Sequence, residues 1–427
     1  MNKFDSSEYK RSRNSYAIQC TLEYFVSLLV TDAYLTRLLS NIGISDSLTG
    51  IISSFITLAF VVQLMSIFVV RIKMSTKKLV MIFDTISIFF FMFMYLIPFL
   101  PLDRSMKTIL VMMSILMAYV CKYLILSIFF KWANSYVEPT KRASYSAVKE
   151  IISLFSGMIF TAVIGYIIDR YESLGNLEGG FLFIAASILI LNICNFISIA
   201  MIKKESPSEH AGDNTPFSVI IKTTLGNKNF RSIVLLTILW DVSRYFTIGF
   251  LGVFKYKNLL MSVFLVQIVN IIANLARIAV SKPIGRYSDK TSYAKGFKLG
   301  LYLAAAAFFI NIFTTKSTWG LIVIYTILMS CSTAGTNQNS YNITYSYVKS
   351  EYIVQAMAIK NCIGGLFGFG ASILGGKILD IVQNSNNIVF GIHIYGQQIL
   401  SAISFVIILI AIVFIKKVIE KQNIIVQ

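Results

Sequence analysis

The chain has 427 residues, of which 56% are hydrophobic and only 14% are charged. Its mean hydropathy of +0.72 excludes a soluble globular protein, because a domain of this size could not bury so much apolar surface. The net charge of +18 does not indicate nucleic-acid binding, because Lys and Arg lie between the apolar runs and dominate no single segment.

Each apolar run is about 20 residues long, enough to cross a hydrocarbon core of roughly 30 Å as a helix. The runs lack the alternation of barrel strands, so the sequence predicts an all-α membrane protein. The first run is too long for a signal-peptide core and is expected to be an uncleaved helix. We predict twelve transmembrane spans, numbered 1 to 12 in chain order: 16–41, 47–70, 79–99, 107–131, 144–168, 180–202, 231–254, 259–281, 296–314, 319–347, 354–379 and 396–418.

The basic residues are distributed unevenly between the two sides of this twelve-span topology. Of the 38 Lys and Arg residues, about 27 fall on the side of the termini and the central loop, and about eight on the other. This bias predicts a multi-pass protein of the cytoplasmic membrane with both termini in the cytoplasm. A polar loop over 203–230 separates a six-helix bundle (1–202) from a second one (231–427), and 216–225 is expected to form a short surface helix.

The second half of the chain repeats part of the first. Residues 135–169 return as 346–380 at a constant offset of 211 positions. A hydrophobic chain whose halves correspond is typical of a transporter built from two pseudo-symmetric bundles. The recurring positions include Ala147, Lys149, Gly157, Gly165, Ile167 and Asp169, which return as Ala358, Lys360, Gly368, Gly376, Ile378 and Asp380.

The loop after span 8 carries a short motif made of Gly285, Arg286, Asp289 and Lys290. It resembles the cytoplasmic loop motif of the major facilitator superfamily, although Ser292 stands where the family usually has glycine and the equivalent first-half loop has lost both glycine and aspartate. The resemblance implies the fold of that family, with two six-helix domains that rock about a central cavity, and it implies that this loop helps to close the cytoplasmic side. It also implies that spans 1, 4, 7 and 10 line the cavity.

Ionisable residues inside the spans indicate function, because each costs at least ~2.5 kcal/mol at a helix centre. Glu23 lies on a polar stripe of span 1, and Asp241 is its counterpart in span 7. These acids are predicted to carry the coupling proton, with Asp32 as the next candidate. Lys122 is predicted to meet Glu23 or an anionic substrate, and Arg244 to share a face with Asp241.

Amides and a tyrosine supply further polar groups to the predicted cavity. Such groups hydrogen-bond hydroxyl-rich solutes, but they also join membrane helices to one another. Asp84 and Arg277 are interpreted instead as gate or snorkelling residues near cytoplasmic helix ends. The cavity candidates besides Lys122 and Arg244 are Gln19, Gln267, Asn270, Asn274, Asn337, Asn339 and Tyr341.

These features predict secondary active transport of a small solute by alternating access, coupled to H⁺ or alternatively to Na⁺. The amides favour a polar, sugar-like solute, whereas the 14% aromatic content leaves a multidrug efflux carrier as an alternative. A non-transporting sensor with a carrier fold is the other alternative, because one loop motif is lost. The sequence has no nucleotide-binding loop, metal-ligand spacing or catalytic cluster, so we expect that the protein is no enzyme and uses no cofactor or metal. We also expect it to be a monomer in the lipid bilayer.

Overall fold

Long α-helices follow the predicted spans. The computed structural model describes residues 4, 6–69, 74–138, 142–203, 217–348, 353–389 and 391–421. Over these residues the α-helices are α1 Ser7–Leu29, α2 Asp32–Ile42, α3 Asp46–Ser53, α4 Phe55–Val69, α5 Thr76–Met94, α6 Arg104–Asn134, α7 Arg142–Ser173, α8 Leu177–Met201, α9 Phe217–Gly226, α10 Lys228–Tyr245, α11 Leu251–Val253, α12 Val263–Lys290, α13 Tyr293–Ile312, α14 Gly320–Tyr347, α15 Ile353–Asn384 and α16 Gly396–Lys417.

Within the described ranges, ten helical segments are long and apolar enough to cross a membrane. They correspond to every predicted span except 1 and 3. Span 3 forms helix α5, which carries Lys77, Lys78 and Asp84, and span 1 is divided into α1 and α2. Apart from the helices there is a small antiparallel hairpin in which Ile388–Val389 pairs with Ile392–His393. The fold is therefore helical, and ten of the twelve spans meet the length and hydropathy criteria.

Span 1 is interrupted near its middle, a feature that the sequence did not predict. Helix α1 ends at Leu29, and α2 begins at Asp32, whose φ of +48° lies in the left-handed region that aspartate tolerates better than most residues. The Leu29 carbonyl accepts a hydrogen bond from the buried Tyr95 hydroxyl (2.5 Å), so a backbone acceptor at the helix end is satisfied. The single helix predicted over 16–41 is therefore two helices.

Span 7 is irregular at the corresponding depth. Helix α10 ends at Tyr245 and is followed by a 3₁₀ turn over Ile248–Phe250 and a π-helical turn over Phe254–Asn258. The first span of each half thus departs from regular α-helix a few residues beyond the acid that the sequence places in both, Glu23 in span 1 and Asp241 in span 7.

The repeat coincides with the helix boundaries. Helices α7 and α15 have 32 residues each, and both their first and last residues are separated by the same offset of 211 that relates the repeated sequence. Superposition of the two halves should therefore bring Gly157 onto Gly368, and a displacement by a helical turn or more would show that the repeat is coincidental.

The chain divides into two compact units. Unit 1 comprises 1–44, 62–212 and 262–267, and unit 2 comprises 45–61, 213–261 and 268–427. Unit 1 has an apolar core around Trp132 and Phe129, and unit 2 has one around Phe250 and Leu400. Each unit also contains a group of buried charged residues.

The cytoplasmic position of the central loop stays a prediction. Helix α9 forms where 216–225 was predicted to be helical, whereas Asp213 lies outside the described residues. The variant Asp213→Cys should react with a membrane-impermeant thiol reagent only after cells are opened, because the Lys/Arg bias places this loop inside. As the matched control, Lys316→Cys on the opposite side should react in intact cells. Labelling of the first variant in intact cells would contradict the topology.

Candidate functional site

Two polar helix faces meet in unit 1. Glu23 on α1 forms an ion pair with Lys122 on α6, with 2.8 Å between the carboxylate Oε1 and Nζ. The Gln19 side chain, one turn before Glu23, donates a hydrogen bond to its other carboxylate oxygen (3.1 Å). Lys122 and Glu23 are 20% and 19% exposed, and Gln19 is fully buried. The pairing of Lys122 with Glu23 that the sequence suggested is confirmed, and both carboxylate oxygens of Glu23 have fixed partners.

Asp84 belongs to the same group of residues. It is only 3% exposed and accepts a hydrogen bond from the amide of Asn195 on α8. Glu23 and Lys122 act on it electrostatically, and Gln19 lies close enough to interact with both acids. We call Gln19, Glu23, Asp84, Lys122 and Asn195 the N-terminal cluster. The interpretation of Asp84 as a snorkelling residue is wrong, because its carboxylate is enclosed by residues of three other helices, whereas a role in gating stays a prediction.

Unit 2 contains a second group of charged residues, in which the acid is held differently. Asp241 and Arg244 lie one turn apart on α10, and Lys360 projects from α15. Within the described part of the chain, no hydrogen bond or ion pair reaches the Asp241 carboxylate; Arg244 and Lys360 act on it only at longer range. We call Asp241, Arg244 and Lys360 the C-terminal cluster.

Sequence reasoning missed Lys360 as a site residue. Its side chain is 2% exposed, and its ammonium group donates to the Ser340 hydroxyl (2.8 Å) and lies 5.4 Å from the centre of the Tyr341 ring. Its repeat partner Lys149 on α7 donates to the Tyr16 hydroxyl (3.1 Å) and acts electrostatically on Glu23. The sequence did contain a signal for Lys360, because Lys149 and Lys360 both lie inside predicted spans and are related by the repeat offset of 211. Each lysine acts electrostatically on the acid of its own half, Glu23 or Asp241.

Gly364 provides the space for Asp241. A Cβ atom added at Gly364 would lie 2.3 Å from Asp241 Oδ2 and 2.9 Å from Thr237 Cγ2. Since Gly364 lies one turn after Lys360 on α15, the absent side chain lets the acid approach the face that carries the lysine. This glycine therefore has a more specific role than general helix packing.

Gly364→Ala should displace the Asp241 carboxylate and destabilise the protein by about 1–3 kcal/mol, the usual cost of overpacking. Gly370→Ala on the same helix is the matched control, because no atom lies within 4 Å of the added Cβ. That variant should be neutral or more stable by up to ~1 kcal/mol, as alanine is the better helix former. Thermal unfolding of both purified variants in detergent measures the difference, and equal melting temperatures would contradict this role of Gly364.

The predicted amide groups are dispersed. On α12, Gln267 is buried, and a Cβ atom added at Gly165 would lie 3.4 Å from its Cγ atom. Asn270 and Asn274 on the same helix are half-buried. On α14, the amide of Asn339 donates to the Gly335 carbonyl (2.7 Å). An added Cβ at Gly296 would lie 2.6 Å from that Asn339 nitrogen, so this amide packs against α13.

The remaining residues of the α14 group are more accessible. Asn337 is exposed, and Tyr341 is 51% exposed with its ring beside the ammonium group of Lys360. Asp32 is half-buried at the first turn of α2 and does not belong to either cluster.

The loop motif lies at the C-terminal end of α12. Arg286, Asp289 and Lys290 are exposed and Gly285 is half-buried, and over the described residues Asp289 forms no ion pair. Close helix approach occurs beside these residues, because an added Cβ at Gly296 would lie 1.9 Å from the buried Ser288 Oγ. The gate function of the motif stays a prediction.

The two clusters differ in their chemistry. Glu23 is fixed by a cation and an amide, whereas among the described residues Asp241 has cations nearby but no hydrogen bond or ion pair to its carboxylate. The assignment of these two acids to proton coupling stays a prediction.

Comparison with known proteins agrees with this architecture. A family model described as Major Facilitator Superfamily matches residues 17–369. No curated protein sequence matches the chain. A mutant of the nucleoside transporter NupG superimposes with a TM-score of 0.73 at 13% identity, covering 95% of this chain and 99% of that one.

Two further solved structures share the fold at low sequence identity. A D-xylose-proton symporter superimposes with a TM-score of 0.70 at 13% identity, covering 96% of this chain and 98% of that one. The POT family transporter PepTSo gives 0.70 at 8% identity, covering 97% and 99%.

Proposed function

The chain belongs to the major facilitator superfamily and is a membrane transporter rather than an enzyme, and we propose that it carries a small polar solute in exchange for, or together with, protons. The observation that carries this proposal is the Asp241 carboxylate, which lies on a membrane helix beside two cations and has no hydrogen bond within the described residues. An acid in a membrane span is costly to keep, so its presence there favours a role in transport.

Proton coupling follows from how the surroundings of Asp241 change. Desolvation favours the neutral form of a carboxyl group, and a nearby cation favours the ionised form. Movement of Arg244 or Lys360 relative to Asp241 during alternating access would therefore load or release a proton. Glu23 instead serves to hold α1 and α6 together through Lys122.

The solute is proposed to be uncharged or weakly charged and rich in hydroxyl or amide groups. Ser340 and Tyr341 contact the Lys360 ammonium group, and Asn337 lies one turn before Tyr341 on α14, so this face offers hydroxyl and amide groups. The solved structures that share the fold include a nucleoside transporter and a D-xylose-proton symporter, whose substrates are polar and hydroxyl-rich, as well as a peptide transporter. The polar groups on α14 and the hydroxyl-rich substrates of two neighbours favour a sugar-like solute over the apolar cations carried by drug-efflux proteins.

The domain division, the oligomeric state, the membrane and the gate that the sequence predicts are part of the same proposal. We propose two six-helix domains over 1–202 and 231–427, joined by the loop 203–230, in a monomer in the cytoplasmic membrane. Gly285, Arg286, Asp289 and Lys290 would contribute to closing the cytoplasmic side.

Flux into proteoliposomes tests this function. The purified protein is reconstituted and given an inward or outward pH gradient together with a labelled nucleoside, a pentose, a dipeptide or a cationic dye. One polar solute should accumulate only with the gradient and should leave when an ionophore collapses it. Accumulation of the dye alone would identify an efflux carrier. A protein that binds a solute but gives no flux of any solute, in vesicles that hold the pH gradient, would be a sensor.

A further inference from the structure

The N-terminal cluster has more negative than positive charge. Glu23 and Asp84 are both acids, and Lys122 is the only cation within the cluster. The next cation that acts on Glu23, Lys149, contacts the Tyr16 hydroxyl at 3.1 Å and forms no hydrogen bond or ion pair with Asp84 among the described residues. An uncompensated charge is expensive in a low-dielectric interior, so one of the two acids is expected to be neutral.

The ion pair indicates which acid is neutral. Glu23 accepts hydrogen bonds from a cation and an amide, which suits an ionised carboxylate. Among the described residues, Asp84 is paired with two neutral amides, that of Asn195, which donates to it, and that of Gln19, whose nitrogen is bonded to Glu23, and it is the more buried acid of the two. The negative charge therefore belongs on Glu23.

Hydrogen-bond donors are also missing around Asp84. Gln19 and Asn195 are completely buried, and Gln19 Oε1 and Asn195 Oδ1 have no hydrogen-bond partner among the described residues. The nitrogen of each amide already serves a carboxylate, so these oxygens need a donor from elsewhere. An ionised carboxylate offers no donor, whereas a carboxylic acid offers one O–H.

We propose that Asp84 is a second proton-binding group of this transporter and is protonated in the conformation described here. The groups that face it are Gln19 and Glu23 from α1, Lys122 from α6 and Asn195 from α8. The proton leaves as H⁺ to water when Lys122 moves from Glu23 toward Asp84, because the ammonium group then stabilises the second carboxylate. This inference rests on proton coupling in the proposed function and adds a site in unit 1 to Asp241 in unit 2.

Infrared difference spectroscopy tests the proposal without any solute. The purified protein in lipid is titrated with base, and the carbonyl stretch of a protonated carboxyl group is followed. The wild-type protein should lose such a band on titration. Asp84→Asn should lack a component of this band from the start and keep the melting temperature of the parent, because asparagine supplies the donor and has no charge.

Matched variants identify the group responsible. Asp289→Asn removes an exposed acid and should leave the band unchanged. Asp241→Asn should keep the component of the band that Asp84→Asn loses, since Asp241 lies in the other unit and gives a carboxyl band of its own when it is protonated. If the asparagine variant does not fold, Asp84→Ser replaces it in this test, because serine is smaller and also lacks the carboxyl group.

Two outcomes would overturn the proposal: a band that persists unchanged in both Asp84 variants, or no such band in the wild-type protein. Failure of the proposed function would be seen separately, as absent solute flux in vesicles from a protein whose Asp84 band is present.

Discussion

Replacing Asp241 with asparagine is expected to abolish accumulation of solute against its gradient while leaving exchange between equal concentrations intact. The change removes the carboxyl that binds the proton but keeps the shape of the side chain beside Gly364. A gradient of about one pH unit drives roughly tenfold accumulation for each coupled proton. The variant should lose this factor in proteoliposomes, because movement of Arg244 or Lys360 then has no titrating partner to act on.

Glu178→Gln is the control for this experiment, because it neutralises an exposed acid in the first turn of α8 and leaves the C-terminal cluster unchanged. It should accumulate solute like the parent. The melting temperature of Asp241→Asn should also be measured, since an unfolded protein would lose exchange together with accumulation. If Asp241→Asn concentrates solute normally, the coupling acid is another residue, and Asp84→Asn becomes the next variant to examine.

Replacing Lys122 with methionine should destabilise the protein strongly. The substitution keeps the length of the side chain but leaves the Glu23 carboxylate with the Gln19 amide as its remaining direct partner. Removing one member of a buried ion pair costs about 3–5 kcal/mol. We expect ~3 kcal/mol here, because both side chains retain about a fifth of their exposure.

A second substitution should reverse this effect. In Lys122→Met/Glu23→Gln the unpaired charge is gone, so the double variant should recover most of the lost stability. Lys316→Met, at an exposed position between α13 and α14, should unfold at the temperature of the parent. Thermal unfolding in detergent measures all of these variants. A double variant no more stable than Lys122→Met would show that the lysine contributes by packing and not by neutralising Glu23.

Helix positions, the repeat and one ion pair could be predicted from the sequence. Hydropathy is a local property, so runs of apolar residues located the helices, and the two 32-residue helices α7 and α15 begin and end at the repeat offset. Glu23 and Lys122 were recognised because charged residues are rare within spans. The sequence left two partners open for Lys122, Glu23 or an anionic substrate, and the contact at 2.8 Å shows the first of them.

The states of the acids required the tertiary structure. Asp84 is near the start of predicted span 3, whereas it lies near the middle of α5, and its burial depends on Asn195, which lies 111 positions away. The break between α1 and α2 likewise depends on a hydroxyl from Tyr95, 66 positions away from the carbonyl that it satisfies. Hydropathy carries no information about such partners, because it assigns the same value to a residue in every environment.

The sequence by itself determined that the protein is a helical membrane transporter with related halves, because length, hydropathy and repetition are properties of the chain alone. Only the tertiary structure decided that Lys122 pairs with Glu23 and is not left for an anionic substrate, that no described residue pairs with Asp241, and that Lys360 faces hydroxyl groups. The reason is physical: the free energy of a buried charge is set by the atoms within a few ångströms of it, and folding brings those atoms from distant parts of the chain.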